Sequence, residues 1–231
     1  MAKRFGTVWL LLVLTATVGH AQEKENVSAK EILDRMVSVY ASCKSYVDKG
    51  QAKVVSFRGS ANRVETKPFT TAFVRPSQFR FEFTENSDPL RQRLVVWRDQ
   101  TSIRSWWALN RETKYHETLG EPLRNATGVS STSAAVVPTM LFQNLGDTRR
   151  LQLLTELSLV GEEKVRGRAA YRIQGKDWLN IWITIWVDKT TFLLLKLFEK
   201  RKSEKVDFEI TVQYEPKIDV EVPPEKLAFK H

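Results

Sequence analysis

The sequence predicts an α+β fold, in which an antiparallel sheet carries helices. Three observations predict it: a capped amphipathic segment near the N-terminus, a strand of alternating aromatic and polar residues, and two later segments that are apolar on both faces. A sheet with one solvated face alternates apolar and polar residues, so strands that are apolar on both faces need cover on both sides. Helices can supply one cover, and a bound hydrophobic ligand can supply part of the other.

The first 21 residues have the three parts of a secretory signal. Lys3 and Arg4 form a basic start, an apolar run follows, and small residues lead up to Ala21. We expect cleavage after Ala21 and a single soluble domain over residues 22–231, exported to the periplasm. An uncleaved N-terminal anchor is the competing interpretation.

Net charge and cysteine content restrict the partners and the chemistry. The formal charge is +9, and loss of Lys3 and Arg4 with the signal lowers it by two, to +7. In an exported protein this excess favours lipid head groups or acidic protein surfaces over nucleic acid. A single cysteine, Cys43, excludes an internal disulfide and is predicted to be a small buried hydrophobe.

The first predicted element is a helix from about Ser28 to Lys44. Ser28 and Glu31 have the spacing of a capping box, in which each side chain accepts a hydrogen bond from the other residue's backbone N–H. Apolar residues then recur at helical spacing: Ile32, Leu33, Met36, Val39, Tyr40 and Cys43.

The segment Thr70–Glu85 predicts two strands joined at Arg75-Pro76. Phe79, Phe81 and Phe83 alternate with polar residues and therefore leave one face of a strand. Pro76 fixes its own φ and pushes Arg75 toward extended geometry, which places the arginine at a strand end. There it can reach backbone carbonyls or a partner carboxylate, although a solvated arginine on a half-buried hairpin is the simpler alternative.

The other early strands suggest a meander, with turns at Arg58-Gly59-Ser60 and at Asn86–Pro89. The predicted strands before position 110 are Tyr46–Phe57, Lys67–Val74, Ser77–Thr84, Arg91–Arg98 and Ser102–Leu109.

The middle of the chain has a different composition. Gly120–Ser133 is rich in turn-forming residues and predicts a loop. Ala134–Leu145 predicts a short helix, in which Pro138 either interrupts the helix or opens a turn. The strand pattern resumes near Thr155. The later expected elements are a turn at Gly161–Gly167 and a strand at Arg168–Gly175.

Two later strands are apolar on both faces. In Asn180–Asp188 the residues Ile181, Ile183, Ile185 and Val187 alternate with Trp182 and Trp186. In Phe192–Glu199 the residues Leu193, Leu195 and Leu197 alternate with Phe192, Leu194 and Phe198. Core packing alone can cover both faces, and a ligand can take part of this role.

No constellation of catalytic or metal-binding residues is visible. After the signal only His116 and His231 remain as histidines, so we expect no catalytic residues, no metal site and no cofactor. His116 is predicted at the surface. Arginines around Trp97, Trp106 and Trp107 could bind nucleic acid, but export favours a membrane interface or the rim of a lipid cavity. The simpler alternative is that most of these arginines form the solvated face of a sheet.

Taken together, these features resemble the Lol-type (LolA/LolB-like) superfamily of periplasmic lipoprotein-sorting proteins, and within it the uncharacterised exported members. The features that carry the resemblance are the capped N-terminal helix, the Arg-Pro-x-x-Phe-x-Phe-Glu strand pair from Arg75 to Glu82, and the proline-rich end from Val222 to Phe229. The resemblance implies a curved, unclosed antiparallel β-barrel, with helices that cover its concave mouth and enclose a cavity for acyl chains.

The resemblance also implies a function and its residues. We expect a noncatalytic binder or carrier of hydrophobic or acylated ligands, with lipid or acylated protein as cargo and Arg75 holding a helical lid shut. Candidate ligand-binding residues are Phe79, Phe81, Phe83, Trp97, Ile183 and Trp186. The alternative is a protein-interaction or envelope-stress sensing module of the same fold, with an envelope protein as partner. An enzyme acting on lipid or cell-wall material has no support in the sequence.

Overall fold

The computed structural model describes residues 27–84, 93–142, 145 and 151–229. The predicted signal peptide and the predicted Asn86–Pro89 turn lie outside these residues. Within the described ranges, no helix is both long enough and apolar enough to cross a membrane.

A twelve-stranded antiparallel sheet forms the body of the molecule. Its strands are β1 (Ser45–Arg58), β2 (Ala61–Val74), β3 (Gln78–Phe83), β4 (Leu94–Arg98), β5 (Ile103–Trp107), β6 (Glu112–His116), β7 (Thr155–Val165), β8 (Arg168–Lys176), β9 (Trp182–Asp188), β10 (Leu194–Arg201), β11 (Asp207–Tyr214) and β12 (Lys217–Ile218). The spatial order is β6-β5-β4-β3-β2-β1-β11-β10-β9-β8-β7, and β12 pairs with β1. In this order β6 and β7 stand at opposite ends, so the sheet is not closed.

Three helices and a 3-10 turn cover one face of this sheet. They are α1 (Ala29–Ser42), α2 (Gly120–Val129), α3 (Ser133–Leu141) and the turn at Leu151–Leu153. A fourth helix, α4 (Pro224–Leu227), lies on the opposite face, where Arg80 Nη1 donates to Glu225 O at 3.2 Å. The first three share one hydrophobic core with the sheet, in which Ile32, Leu123 and Met140 belong to the same cluster as Phe79 and Ile185. The α+β prediction is confirmed, and the open antiparallel sheet fits a curved half-barrel.

The capping box at the start of α1 is confirmed. The Glu31 N–H donates to Ser28 Oγ at 3.2 Å, and the Ser28 N–H donates to Glu31 Oε2 at 2.8 Å. The Ser28 hydroxyl also donates to Glu31 Oε2 at 2.7 Å, and this hydrogen bond, together with the one from the Ser28 N–H, lowers the pKa of the Glu31 carboxyl. The helix ends at Ser42, and Cys43 follows as a buried free cysteine whose thiol pKa burial raises.

The strand pair around Arg75 is confirmed as well. β2 and β3 pair in register from Phe69↔Phe83 to Val74↔Gln78, with Arg75 and Pro76 in the turn. Phe79, Phe81 and Phe83 are fully buried on the helix-covered face. Alternation along β3 therefore determined both the strand and the face.

The predicted loop at Gly120–Ser133 is wrong, because residues 120–129 form α2. Leu123 and Ala126 bury one face of this helix against the core. Pro122 lies in the first turn of α2. N–H groups in a first turn have no intrahelical acceptor, so a proline there costs no helical hydrogen bond. In α3 the chain stays helical through Pro138, since burial of all nine residues of this helix outweighs the cost of a proline.

Two strand details also differ from the prediction. The turn expected at Gly161–Gly167 is confined to Arg166 and Gly167, and a pairing irregularity near Gly161 keeps β7 continuous. In β10 a bulge between Leu194 and Lys196 shifts the alternation. As a result Leu194 and Leu197 face the main core, whereas Leu195 packs on the opposite side of the sheet with Trp186.

Candidate functional site: an arginine-lined cleft at the end of α1

A cleft of about 640 Å³ opens where α1 ends and β2 turns into β3. One part of its lining is apolar and another part is charged. The apolar part comprises Ala41, Ile103, Leu119, Leu141 and Phe142, and the charged part comprises Arg75, Arg98 and Glu117.

Arg75 fastens the end of α1 to the sheet. Its Nε donates to the carbonyl oxygen of Cys43 at 2.9 Å, and its Nη2 donates to that of Tyr40 at 3.4 Å. The Tyr40 carbonyl lies in the last turn of α1 and the Cys43 carbonyl directly follows the helix, so neither has an intrahelical N–H donor. The Arg75 backbone N–H donates to Lys44 O at 2.9 Å, and the guanidinium lies 5.0 Å from the centre of the Phe73 ring. The structure thus shows the backbone contacts expected of Arg75, and they are made to α1.

Arg98 ends β4 and lines the same cleft. In the part of the chain that the structure describes, no hydrogen bond, ion pair or ring contact engages its guanidinium. The cleft therefore presents two guanidinium groups against one carboxylate, that of Glu117. This balance suits an anionic group on a ligand.

Phe142 joins the cleft to the interior of the fold. Its ring packs edge-on against Phe73 and Phe79, with centroid distances of 5.0 Å and 5.4 Å. The apolar wall of the cleft is therefore continuous with the aromatic face of β3. An apolar chain that entered beside Arg75 would meet these rings first.

The six predicted ligand-binding residues do not share one surface. Phe79, Phe81, Phe83 and Ile183 lie in the main core beneath the helices. Trp186 lies on the opposite side of the sheet, where its Nε1–H donates to Glu163 Oε2 at 2.9 Å. Trp97 also faces outward and packs on Phe229 with the ring centroids 5.0 Å apart. The binding role of each residue stays a prediction.

Among the described residues, the opening between the helices and β9–β10 is small. An opening of about 30 Å³, lined by Thr132, Val136, Leu154 and Ile183 among others, is comparable to the space that one water molecule takes up. α3 fills the remainder, and all its residues are buried. A long acyl chain therefore fits in the interior only if α3 moves.

A buried polar cluster that the sequence analysis did not identify anchors α1. Tyr46 donates its hydroxyl hydrogen to Asp48 Oδ2 at 2.9 Å, and Tyr40 Oη accepts the Leu194 N–H at 3.1 Å. Burial raises the pKa of Asp48 to about 7. The available signal was a tyrosine and an aspartate two apart on one strand face.

The basic and indole-rich region of β3 to β5 is covered by the end of the chain. Arg80 Nη1 donates to Ala228 O at 2.6 Å, and Phe229 packs on Trp97 and Trp106. Glu82 pairs with both Arg80 and Arg93, the latter at 2.7 Å. This region is thus occupied within the molecule, which the sequence pattern did not reveal.

His116 is not the surface residue that the sequence predicted. Its side chain is only 6% exposed, and its Nε2 lies 2.8 Å from Ser105 Oγ. Its Nδ1 lies 3.3 Å from Glu121 Oε2, so the imidazole connects β5 and β6 to α2. Among the described residues, no group of three or more histidine, cysteine or acidic side chains is placed to hold a metal ion.

No protein-family model and no curated protein matches the sequence. Solved structures do show similarity. Lipoprotein LppX from Mycobacterium tuberculosis is 11% identical with a TM-score of 0.46, and the match covers 84% of this chain and 97% of LppX. A DUF1329 family protein from Desulfovibrio piger is 11% identical with a TM-score of 0.40, over 87% of this chain and 95% of that one.

The complex of MucA and MucB from Pseudomonas aeruginosa is 16% identical with a TM-score of 0.45. That match covers 87% of this chain, which spans 61% of the matched chain. All three matches have TM-scores below 0.5. At such identities and TM-scores they carry no conclusion about function, which has to come from the residues of this chain.

Proposed function

We propose that this protein is a noncatalytic periplasmic binder or carrier of hydrophobic or acylated ligands, with a role in outer-membrane lipoprotein sorting. The cleft at Arg75 and Arg98 receives the polar end of the ligand, and the aromatic face of β3 receives the acyl chain. The observation that carries this proposal is the continuity between the two: Phe142 lines the cleft and touches Phe79 of the core.

Burial of the acyl chain supplies the driving force. Each buried methylene contributes about 0.8 kcal/mol, so ten methylenes contribute roughly 8 kcal/mol before ordering costs. Few polar contacts are then needed, and two guanidinium groups at the entrance are enough to orient an anionic head.

Entry of a chain into the core requires α3 to move, and its connection to α2 is strained. Ser131 and Thr132 both adopt positive φ, 54° and 70°. The left-handed region costs a residue with a side chain roughly 1 kcal/mol. This strain lowers the cost of changing the α2–α3 connection when a ligand replaces the contacts of α3.

The first experiment is native mass spectrometry of mature protein purified without detergent, before and after solvent extraction. The expected result is a stoichiometric lipid or acylated-peptide mass that extraction removes. If the protein is empty, phosphatidylglycerol and a palmitoylated peptide are added back. No retention of either ligand would contradict the proposal.

Matched variants then locate the site. Arg98→Leu removes a cleft charge without touching α1, and Arg172→Leu makes the same change on β8, outside the cleft. We expect Arg98→Leu to weaken phosphatidylglycerol binding about tenfold, as for loss of one charge-assisted hydrogen bond. Arg172→Leu should bind normally, and equal effects of both variants would place the ligand elsewhere.

A second candidate is a protein-interaction or envelope-stress sensing module. β7 is an end strand of the sheet, and its Leu159 and Val160 are about 40% exposed (39% and 40%). A partner segment could add to such an edge by backbone hydrogen bonds. A photo-crosslinker at position 159 that captures one protein reproducibly, from lipid-free protein, would favour this candidate over the carrier.

A further inference from the structure

Three turns stand side by side at the end of the sheet opposite the Arg75 cleft. They are residues 59–60 between β1 and β2, 202–206 between β10 and β11, and 177–181 between β8 and β9. The turns are neighbours because β1 pairs with β11, β11 with β10, and β10 with β9. We call these turns and the strand ends that flank them the turn rim.

The turn rim exposes large apolar side chains. Trp178 is 58% exposed and Leu179 49%, and Leu153 next to them is 54% exposed. All three line the mouth of the small interior opening, so they form one patch. Trp182 follows at 43% exposure, with Lys176 Nζ 4.9 Å from the centre of its ring.

The turn that carries Trp178 is ordered by its own hydrogen bonds. Asp177 Oδ1 accepts the backbone N–H groups of Leu179 and Ile181, both at 2.9 Å. The Asp177 N–H in turn donates to Ile181 O at 3.0 Å. The carboxylate of Asp177 is therefore engaged within the turn, and the indole and leucyl side chains are held outward.

The same rim carries an excess of basic side chains. Arg58, Lys202 and Lys205 are exposed, and within the described residues none of them has an ion-pair partner. The acidic residues beside the two lysines are Glu204, which lies between them, and Asp207, which begins β11. The arrangement differs from the indole cluster near Trp97, where ion pairs and Phe229 occupy the surface.

We propose that the turn rim docks the protein on an anionic lipid bilayer. Indoles settle at head-group depth with the ring in the apolar boundary, and exposed lysine and arginine side chains pair with acidic head groups. A second copy of this chain would bring like charges together, so the positive charge of the rim favours lipid. The docking is a property of the empty protein and goes beyond ligand binding in the cleft.

Vesicle sedimentation tests the apolar part. Ligand-free mature protein, without the predicted signal, is mixed with phosphatidylcholine vesicles that contain roughly 30% phosphatidylglycerol, so that the membrane surface is anionic. Trp178→Ser with Leu179→Ser should bind about tenfold more weakly. Tyr115→Ser, which removes a 72% exposed aromatic from β6, should bind like the unchanged protein.

Charge reversal tests the electrostatic part. Lys202→Glu and Lys205→Glu should each weaken binding about fivefold or more, since a basic residue near an anionic surface contributes about 1 kcal/mol. Lys114→Glu on β6 makes the same charge change away from the rim and should have little effect. Binding of the unchanged protein should fall with salt, because exposed charges are screened over about 10 Å at 0.1 M.

Several outcomes would overturn the proposal. The unchanged protein could fail to bind the anionic vesicles. The rim variants and their controls could lose the same affinity for the vesicles, or the rim substitutions could leave that affinity unchanged. A dimer in sedimentation velocity that the Trp178→Ser, Leu179→Ser variant dissolves would assign the patch to a second copy instead. Because the assay uses empty protein, its failure is distinguishable from failure of the ligand to bind in the cleft.

Discussion

Arg75 connects three parts of the molecule through one side chain. It occupies the turn between β2 and β3, hydrogen-bonds the last carbonyls of α1 and lines the cleft. Its proline neighbour places it at the strand end, which is why a single arginine can reach all three. Its role in holding a helical lid shut stays a prediction.

The first prediction concerns Arg75. Arg75→Leu leaves the carbonyls of Tyr40 and Cys43 without their charged donor, so we expect the free energy of unfolding to fall by about 1–2 kcal/mol. Arg98 lines the same cleft but makes no hydrogen bond to α1 in the described residues. Arg98→Leu should therefore change the free energy of unfolding by less than about 0.5 kcal/mol. Urea denaturation measures both, and equal stability of the two variants would contradict the role of Arg75 in fastening α1.

The second prediction concerns Asp48. Burial raises its pKa in the folded state to about 7 from 3.8, so the folded protein favours the protonated form. The protonated Asp48 carboxyl therefore contributes its full stabilisation below about pH 4, and this stabilisation is lost as the pH rises to about 7. Asp48→Asn should raise the free energy of unfolding at pH 8 by up to about 4 kcal/mol, and by much less at pH 4.

Urea denaturation across this pH range checks the effect of Asp48→Asn. Asp34→Asn, at an exposed position of α1, is the control and should show no such gain at pH 8. The opposite result would be that Asp48→Asn lowers the free energy of unfolding at pH 8 as much as at pH 4. It would show that hydrogen bonds stabilise the Asp48 carboxylate more than burial destabilises it.

Among the elements, α3 is the one on which the proposed function depends. It is a nine-residue helix, buried throughout, that fills the concave side of the sheet. Burial of this kind normally indicates a structural role. Its position beside the cleft and the strained residues before it make it the element that a ligand would displace.

The third prediction is a change in hydrogen exchange. Saturating phosphatidylglycerol should speed exchange of the amides at residues 133–141, because displaced helix exposes its backbone to water. Amides of β9 and β10 should stay protected, since their ladder is unchanged. If amide exchange in α3 is the same with and without ligand, the ligand binds in the cleft without displacing α3.

At the scale of the whole molecule, two runs of neighbouring strands share one core. β1 to β6 form the first run and β7 to β11 the second, and pairing of β1 with β11 joins them. α1 packs beside both runs, since residues from each belong to the cluster that contains Ile32 and Met36. The prediction of one domain over residues 22–231 therefore has a direct thermodynamic test.

The fourth prediction is a single cooperative unfolding transition. Far-ultraviolet circular dichroism and tryptophan fluorescence should give coincident urea curves, because neither run of strands keeps a covered core without the other. The tryptophans report on both runs, with Trp97 in the first and Trp186 in the second. Two separated transitions would show that the runs are independently stable.

The sequence by itself determined the local elements. The capping box, the alternation of Phe79, Phe81 and Phe83 and the proline after Arg75 act over a few residues, so their physical consequences can be derived without the fold. It also indicated that β9 needs cover on both faces. The sequence prediction was wrong where burial against the core favours a helix although the composition favours a turn or a break, as in α2 and at Pro138.

Only the tertiary structure decided which surfaces are free and which are filled. Phe229 covers the indoles of β4 and β5, and α3 fills the space that the resemblance assigned to a ligand. The bulge in β10 put Leu195 on the opposite side of the sheet from Leu197, with which simple alternation had grouped it. These outcomes depend on contacts between residues far apart in the chain, which periodicity over a few positions does not encode.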